Sequence, residues 1–300
     1  GGKKGNVAYG TLTSISESPF QFALIYVGSD DGYINVTKNG GGSWTRISDN
    51  LPQDLWVSRV IASAHKKERV YATLNGYRFD DYKSDNYGQT WENIGKDIPT
   101  SPVNVIKEDP ENENILYVGT DNGLYVSLDK GGSWSVFNKN LPNVAVHDLV
   151  IQPTAKHLIV ATHGRSLYKA DVSSIQKMTN AILAKQSYVF DVSDIRQNRS
   201  WGRSWSQWRD AYEPEITIPF YVNADKKVDV EIYQGETFVN AITVNADKGY
   251  NEFNFDVSFS KKGLKNYEKA NKEAKLKAAA NDVYYLPKGK YVVKIGDAKS

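Results

Sequence analysis

The sequence predicts an all-β chain in which repeated four-stranded meanders precede a small antiparallel β-sandwich. Three observations predict it. Tyr and Trp, which favour strands and half-wet surfaces, number 19 and 7 among the 300 residues. An octet of the form [ST]-x-[DN]-x-G-x-[ST]-W occurs three times, as Thr37 to Trp44, Ser84 to Trp91 and Ser127 to Trp134, with the tryptophans 47 and 43 residues apart. Beyond residue 216 the octet is gone and apolar and polar residues alternate with period 2.

Two further beats keep the period of the octet. "YVGSDDG" from Tyr26, "YATLNG" from Tyr71, "YVGTDNG" from Tyr117 and "IVATHG" from Ile159 are β-branched or aromatic runs stopped by a turn dipeptide. "NLP" at Asn50, "DIP" at Asp97 and "NLP" at Asn140 close the units. In the clearest copy, "VNVIKED", "ILYVGT", "LYVSLD" and "SWSVFN" supply four strands. A period of about 45 residues holding four strands is the signature of a β-propeller blade. Within the octets, Gly41, Gly88 and Gly131 supply the backbone freedom of a tight turn. Asn39, Asn86 and Asp129 accept backbone N–H groups across it, and Trp44, Trp91 and Trp134 plug the space between neighbouring sheets.

These octets resemble the Asp-box (BNR) repeats of sialidases, sortilin-type propellers and two-propeller glycoside hydrolases. The resemblance implies a structural hairpin on the face away from the ligand. The run from Tyr9 to Asp171, with "GTLTSISESP", "LWVSRVIAS", "PVNVIKEDP" and "LIVATHGRSLYKAD", is similar to the C-terminal blades of bacterial sortilin-like, BNR-repeat "glycosyl hydrolase" proteins.

Blades are expected over 8–52, 53–99, 100–142 and 143–172, so that residues 1–172 hold about 3.75 of them. The short last blade reads as one that closes its ring with a strand from the other end. The alternatives are a compact four-bladed ring and the C-terminal part of a larger one, and the resemblance implies the larger ring. Residues 173–215 form a linker with a short helical stretch, a strand and a Trp-rich segment. In that segment Trp201, Trp205, Trp208 and Tyr212 share one face if it is helical, a face suited to domain docking more than to sugar stacking. Residues 216–300 form the sandwich, interrupted at 261–281 by a Lys/Ala-rich surface helix. "DVEIYQGE", "GYNEFNFDV" and "LPKGKYVVKIGD" resemble the Ig-like C-terminal modules of bacterial secreted proteins.

The bulk numbers exclude several functions. A net charge of +2, from 37 basic and 35 acidic residues, gives no footprint for nucleic acid. The absence of Cys removes thiol catalysis, Cys-ligated zinc and disulfide scaffolding. No apolar run is long enough for a transmembrane segment. "GGKKGNVAYG" lacks the apolar stretch of a signal peptide, which a mature or truncated chain would have lost, so it does not bear on secretion.

The resemblance puts function on the face opposite the octets. Asp30, Asp31, Asn75, Arg78, Asp121, Asn122, His163 and Arg165 fall in the loops after the second strand of each blade, and Trp56, Arg59, Asn104, His147 and Asp148 near the starts of first strands. Of these, Asp30, Asp31, Arg59, Arg78, His147, His163 and Arg165 are the candidate ligand-binding residues. A sialidase needs an arginine triad and a Tyr/Glu pair. Arg59, Arg78 and Arg165 are available, but the Arg-Ile-Pro motif and the Tyr/Glu pair are missing. A general glycosidase needs two carboxylates about 5–10 Å apart. Asp121 and Asp148 are the leading catalytic pair, with Asp30 or Asp31 as an alternate partner, although Asp30-Asp31-Gly32 and Asp121-Asn122-Gly123 also read as ordinary hairpin turns. His147, His163 and Asp148 fall short of a metal centre and read as a network pinning the last blade, in which Asp148 orients His147 or Arg165. The expected function is a non-catalytic, extracytoplasmic, sortilin-like scaffold that binds protein or glycan ligands without a cofactor, in a possible membrane-surface complex. The alternative is a glycoside hydrolase of the two-propeller type.

Overall fold

The computed structural model describes residues 10–53, 55–75, 80–99, 101–138, 141–206, 208–274, 276–296 and 298–299. Arg78 and Asn140 lie outside them. Two compact units divide between Lys177 and Met178.

The first unit holds the blades, each an antiparallel meander in chain order. Blade 1 is β1 (Leu12–Glu17), β2 (Ile25–Ser29), β3 (Ile34–Thr37) and β4 (Thr45–Arg46). Blade 2 is β5 (Trp56–Ala62), β6 (Val70–Asn75), β7 (Asp80–Ser84) and β8 (Glu92–Asn93). Blade 3 is β9 (Val103–Glu108), β10 (Leu116–Thr120), β11 (Gly123–Ser127) and β12 (Ser135–Val136). Blade 4 has three strands, β13 (Val146–Gln152), β14 (His157–Thr162) and β15 (Leu167–Asp171), among the described residues. The fold is therefore a run of β-propeller blades.

The core lies between blades rather than within them. One apolar cluster joins Tyr26, Ile34 and Ile47 of blade 1 to Val57, Val60 and Leu74 of blade 2. Another joins Tyr71 and Ile94 of blade 2 to Val103, Ile106 and Val118 of blade 3. Inner strands are thus buried on both faces, which is why "ILYVGT" reads as an unbroken apolar run, and each such side chain is worth roughly 1.5–3 kcal/mol. Gly28 and Gly119 allow the close approach: a Cβ on Gly28 would lie 2.4 Å from Val57 Cγ1, and one on Gly119 2.6 Å from Val146 Cγ1.

The first strand of every blade carries a β-bulge, at Thr13, Ser58, Asn104 and His147. A bulge re-aims its side chain, and here it aims at the following blade. Thr13 Oγ1 donates to Val57 O (2.6 Å), Ser58 Oγ to Val103 O (2.7 Å) and Asn104 Nδ2 to Val146 O (3.2 Å). Residues at the same place in blades 1 to 3 thus make the same bond although their side chains differ.

The three octets are superposable in their bonding. Thr37, Ser84 and Ser127 each accept from the N–H four residues on, at 2.9, 2.9 and 2.8 Å. Asn39, Asn86 and Asp129 each accept from the N–H four residues on, at 2.9, 2.9 and 2.8 Å. Two successive positive φ values complete each turn, at Gly40 and Gly41, Tyr87 and Gly88, and Lys130 and Gly131. Trp91 Nε1 then donates to Ile47 O of the preceding blade (2.7 Å), and Trp134 Nε1 to Ile94 O (2.6 Å).

An ionic cluster around the buried Arg69 and Glu108 links blades 2 and 3 beside the octets. Arg69 donates to Asp85 (2.7 Å) and Glu113 (3.0 Å), and Glu113 also pairs with Lys130 at 2.8 Å. Glu108, buried, accepts from Ser63 Oγ, the Ala64 N–H and the Tyr71 hydroxyl. Burial works against the Arg69 charge, but its bonds to Asp85 and Glu113 outweigh that and raise its pKa. Burial likewise opposes ionisation of Asp85, and the bond from Arg69 prevails and lowers its pKa. Lys130 and then Arg69 lower that of Glu113.

The second unit is a sandwich. Residues of the expected linker contribute to it: α1 (Asn180–Leu183) precedes β16 (Ser187–Val189), which pairs with β17 (Ile216–Val222), and β17 pairs with β20 (Gly249–Phe255). The facing sheet has the order β19 (Thr237–Ala246), β18 (Lys226–Gln234), β21 (Val292–Ile295), β22 (Ala298–Lys299). Phe220, Phe255, Val230, Val239 and Ile295 fill the space between them.

Two expectations in this region need correction. The helix expected over 261–281 is α2 (Lys261–Ala270) and stops at its C-cap Asn271. Helix propensity in the Lys/Ala tract is overridden because Ala274 and Leu276 turn in to pack on the sandwich core. The tryptophan face does not form either. The Gly202 N–H donates to Tyr212 O (2.8 Å) and the Tyr212 N–H to Arg203 O (2.9 Å), clamping a non-helical loop. Trp201 is buried in the core beside Tyr285, whereas Trp205 and Trp208 at the tip are exposed.

Candidate functional site

The ends of the blades differ in chemistry. At one end the octets lie against the turns between first and second strands: the Gly40 N–H donates to Ala23 O, Tyr87 to Glu68 O and Lys130 to Asn114 O. At the other, the turns between second and third strands lie against the starts of first strands: Asp30 N–H donates to Thr11 O, Asp121 to Pro102 O and His163 to Ala145 O. The candidate residues described by the structure fall on this second end.

On blade 1, Asp30 Oδ1 accepts from the Gly10 and Thr11 N–H groups at 2.7 and 2.8 Å. Asp31 accepts from the Ser29 hydroxyl and the Tyr33 N–H. Both side chains thereby fasten the start of β1 and its neighbouring turn.

Blades 2 to 4 supply a polar cluster. Asn104 is its hub: besides Val146 O, it donates to Asp121 Oδ1 (2.9 Å) and accepts from Asn75 Nδ2 (3.3 Å). Arg59 Nη2 donates to Asp148 Oδ1 at 2.8 Å, an ion pair joining blade 2 to blade 4. The sequence offers His147 or Arg165 as the partner of Asp148, and the structure gives Arg59. The His147 and His163 rings lie 5.3 Å apart on blade 4. Arg165 is exposed in the turn beyond, where Gly164 and Ser166 have positive φ. Trp56, three residues before Arg59, is more than half exposed.

Asp121 and Asp148 are therefore held by different partners, one by an amide and one by a guanidinium. Among the described residues no group of three or more His, Asp or Glu gathers as a metal would require. No helix of the described residues is long and apolar enough to cross a membrane.

The sequence brought the residue types of this end forward but not their pairing. Arg59 and Asp148 are 89 residues apart, and only the succession of blades joins them. The Arg69 and Glu108 cluster was missed altogether, since single charges at strand ends carry no local signal.

The fold and this polar end define an all-β chain of propeller blades with a second, sandwich unit. Comparison with protein families and with curated proteins finds no match. Among solved structures it is similar to the GH74 xyloglucanase from Xanthomonas campestris, with 12% identity and a TM-score of 0.46. That likeness covers 81% of this chain and 38% of the xyloglucanase.

Proposed function

We propose that the chain is a non-catalytic binding or scaffold protein whose ligand, a protein or a glycan, is taken at the end of the blades opposite the octets. One observation carries this reading: every described acidic candidate on that end is already committed to protein. Asp30 and Asp31 bind backbone N–H groups, Asp121 binds Asn104, and Asp148 binds Arg59. What is left outward is a rim with an exposed indole, two imidazoles and a guanidinium, at Trp56, His147, His163 and Arg165. Such a rim recognises ligands through stacking and hydrogen bonds held in place by a rigid scaffold. In this reading the octets are Asp boxes that serve as structure, the sandwich is an Ig-like module, and the protein works outside the cytoplasm as sortilin-type propellers do.

Binding of the 300-residue chain to glycan and peptide arrays tests it. Specific binding that Trp56→Ala or Arg165→Ala weakens, with the melting temperature kept, is expected. Cleavage of any polysaccharide that Asp121→Asn or Asp148→Asn abolishes would replace this reading with the glycoside hydrolase.

A further inference from the structure

Blade 1 exposes the surface that every other blade buries. Strand register equates Leu12 with Val57, Val103 and Val146, and Ile15 with Val60, Ile106 and Leu149. The six residues on blades 2 to 4 are at most 3% exposed, whereas Leu12 is 62% and Ile15 71% exposed. Trp44 repeats the pattern. Its counterparts Trp91 and Trp134 donate to Ile47 O and Ile94 O of the blade before, but Trp44 is 46% exposed. The glycines agree: a Cβ on Gly88 or Gly131 would strike Ile47 or Ile94, while one on Gly41 would meet only the ring of its own Trp44.

We propose that this leading face of blade 1 receives a further four-stranded blade, built by polypeptide on the N-terminal side of residue 1 in the native protein. The established interfaces specify the occupant. The residue directly after its fourth strand must offer a backbone carbonyl to Trp44 Nε1 and an aliphatic side chain to pack on Gly41, as Ile47 and Ile94 do for blades 2 and 3. At the register position facing Leu12 its second strand carries a buried residue no larger than Thr, since blades 1 to 3 have Gly28, Thr73 and Gly119 there. Its bulge residue must donate to Leu12 O, as Thr13 does to Val57 O.

Those requirements disfavour a second copy of this chain. The free blade of a copy would be blade 4, which has three strands among the described residues and no counterpart of the Ile47 and Ile94 carbonyls. Blade 4 of the same molecule fails for the same reason. The inference stands apart from the ligand reading above, because it concerns packing between blades and not the polar end.

Hydroxyl-radical footprinting read by mass spectrometry tests it on two samples: the native polypeptide purified from its source cells, and the 300-residue chain with its mass measured by light scattering. The expected result is a 300-residue monomer that oxidises Trp44 readily, and a heavier native polypeptide in which oxidation of Trp44 falls to the rate of Trp91. Equal oxidation of Trp44 in both samples overturns the proposal. So does a 300-residue chain that pairs in solution and protects Trp44 by itself, which would make a second copy the occupant. Substitution gives an independent reading: Trp44→Ala leaves the melting temperature of the 300-residue chain nearly unchanged while lowering that of the native polypeptide as much as Trp91→Ala. A Trp44→Ala chain as unstable as Trp91→Ala in the 300-residue form would also overturn the assignment.

Discussion

At the scale of single residues, Gly88 and Gly41 occupy the same turn position with different surroundings. Gly88 has φ +83°, and a Cβ there would lie 2.4 Å from Ile47 Cδ1. Gly88→Ala combines about 1–3 kcal/mol of overpacking with about 1 kcal/mol of left-handed backbone strain. Gly41, with φ +99° and its own Trp44 ring no nearer than 3.8 Å, carries only the backbone part. Urea titration of the two variants is therefore expected to show Gly41→Ala losing about 1 kcal/mol and Gly88→Ala about two to four times as much. A different balance governs Arg59 and Asp148. Their side chains are 32% and 51% exposed, so solvent screens the pair. Asp148→Asn is expected to change stability by less than about 1 kcal/mol in the same titration. The pair thus contributes to the shape and charge of the rim far more than to the fold.

At the scale of elements, the octet is a lock between sheets. Trp91→Phe keeps most of the buried ring but leaves Ile47 O without its indole donor. A loss of about 1–2 kcal/mol is expected from differential denaturation of the variant and the parent. Trp91→Ala adds the cavity, for about 3–5 kcal/mol. The octet was legible in the sequence because the bonds that shape its turn, accepted by Ser84 and Asn86 and by their counterparts in the other copies, close within four residues. The four-strand beat was legible because alternation and turn dipeptides are local too. The reach of the Lys/Ala helix was not, since Ala274 and Leu276 leave helical geometry for packing partners distant in sequence. Nor was the fate of the tryptophans, where Gly202 adopts φ +72° against Ala279 and Asn281. Of the candidate site, residue types could be read from turn positions. The Arg59 to Asp148 pairing could not, because it depends on the angle through which three blades turn.

At the scale of the whole first unit, the Arg69 cluster makes stability respond to acid. Asp85 and Glu113 have folded-state pKa values below their unfolded ones. Their contribution is therefore present in full above the unfolded carboxylate range, near about pH 4, and is lost as pH falls through the lower folded values. Both side chains are more than a third exposed, so the contribution is modest. An Asp85→Asn, Glu113→Gln double variant is expected to be less stable than the parent at pH 6 and to converge with it as the buffer is taken well below pH 4. Urea midpoints across that range give the comparison, and a gap that widens in acid would refute the assignment.

The bulge residues give this unit a direction. Thr13, Ser58 and Asn104 each hand one hydrogen bond forward from a first strand, while the Trp91 and Trp134 indoles hand theirs back from the octets. Apart from the solvent-screened Arg59 to Asp148 pair, the contacts described above join each blade to its neighbours, and such an array approximates a one-dimensional lattice, in which stability is a sum of unit terms and junction terms. Opening then starts where a junction is missing and travels inward. Amide exchange on β1 and β2 should accordingly outpace that on β6 and β10, so that the unit frays like the end of a zipper while its middle stays shut.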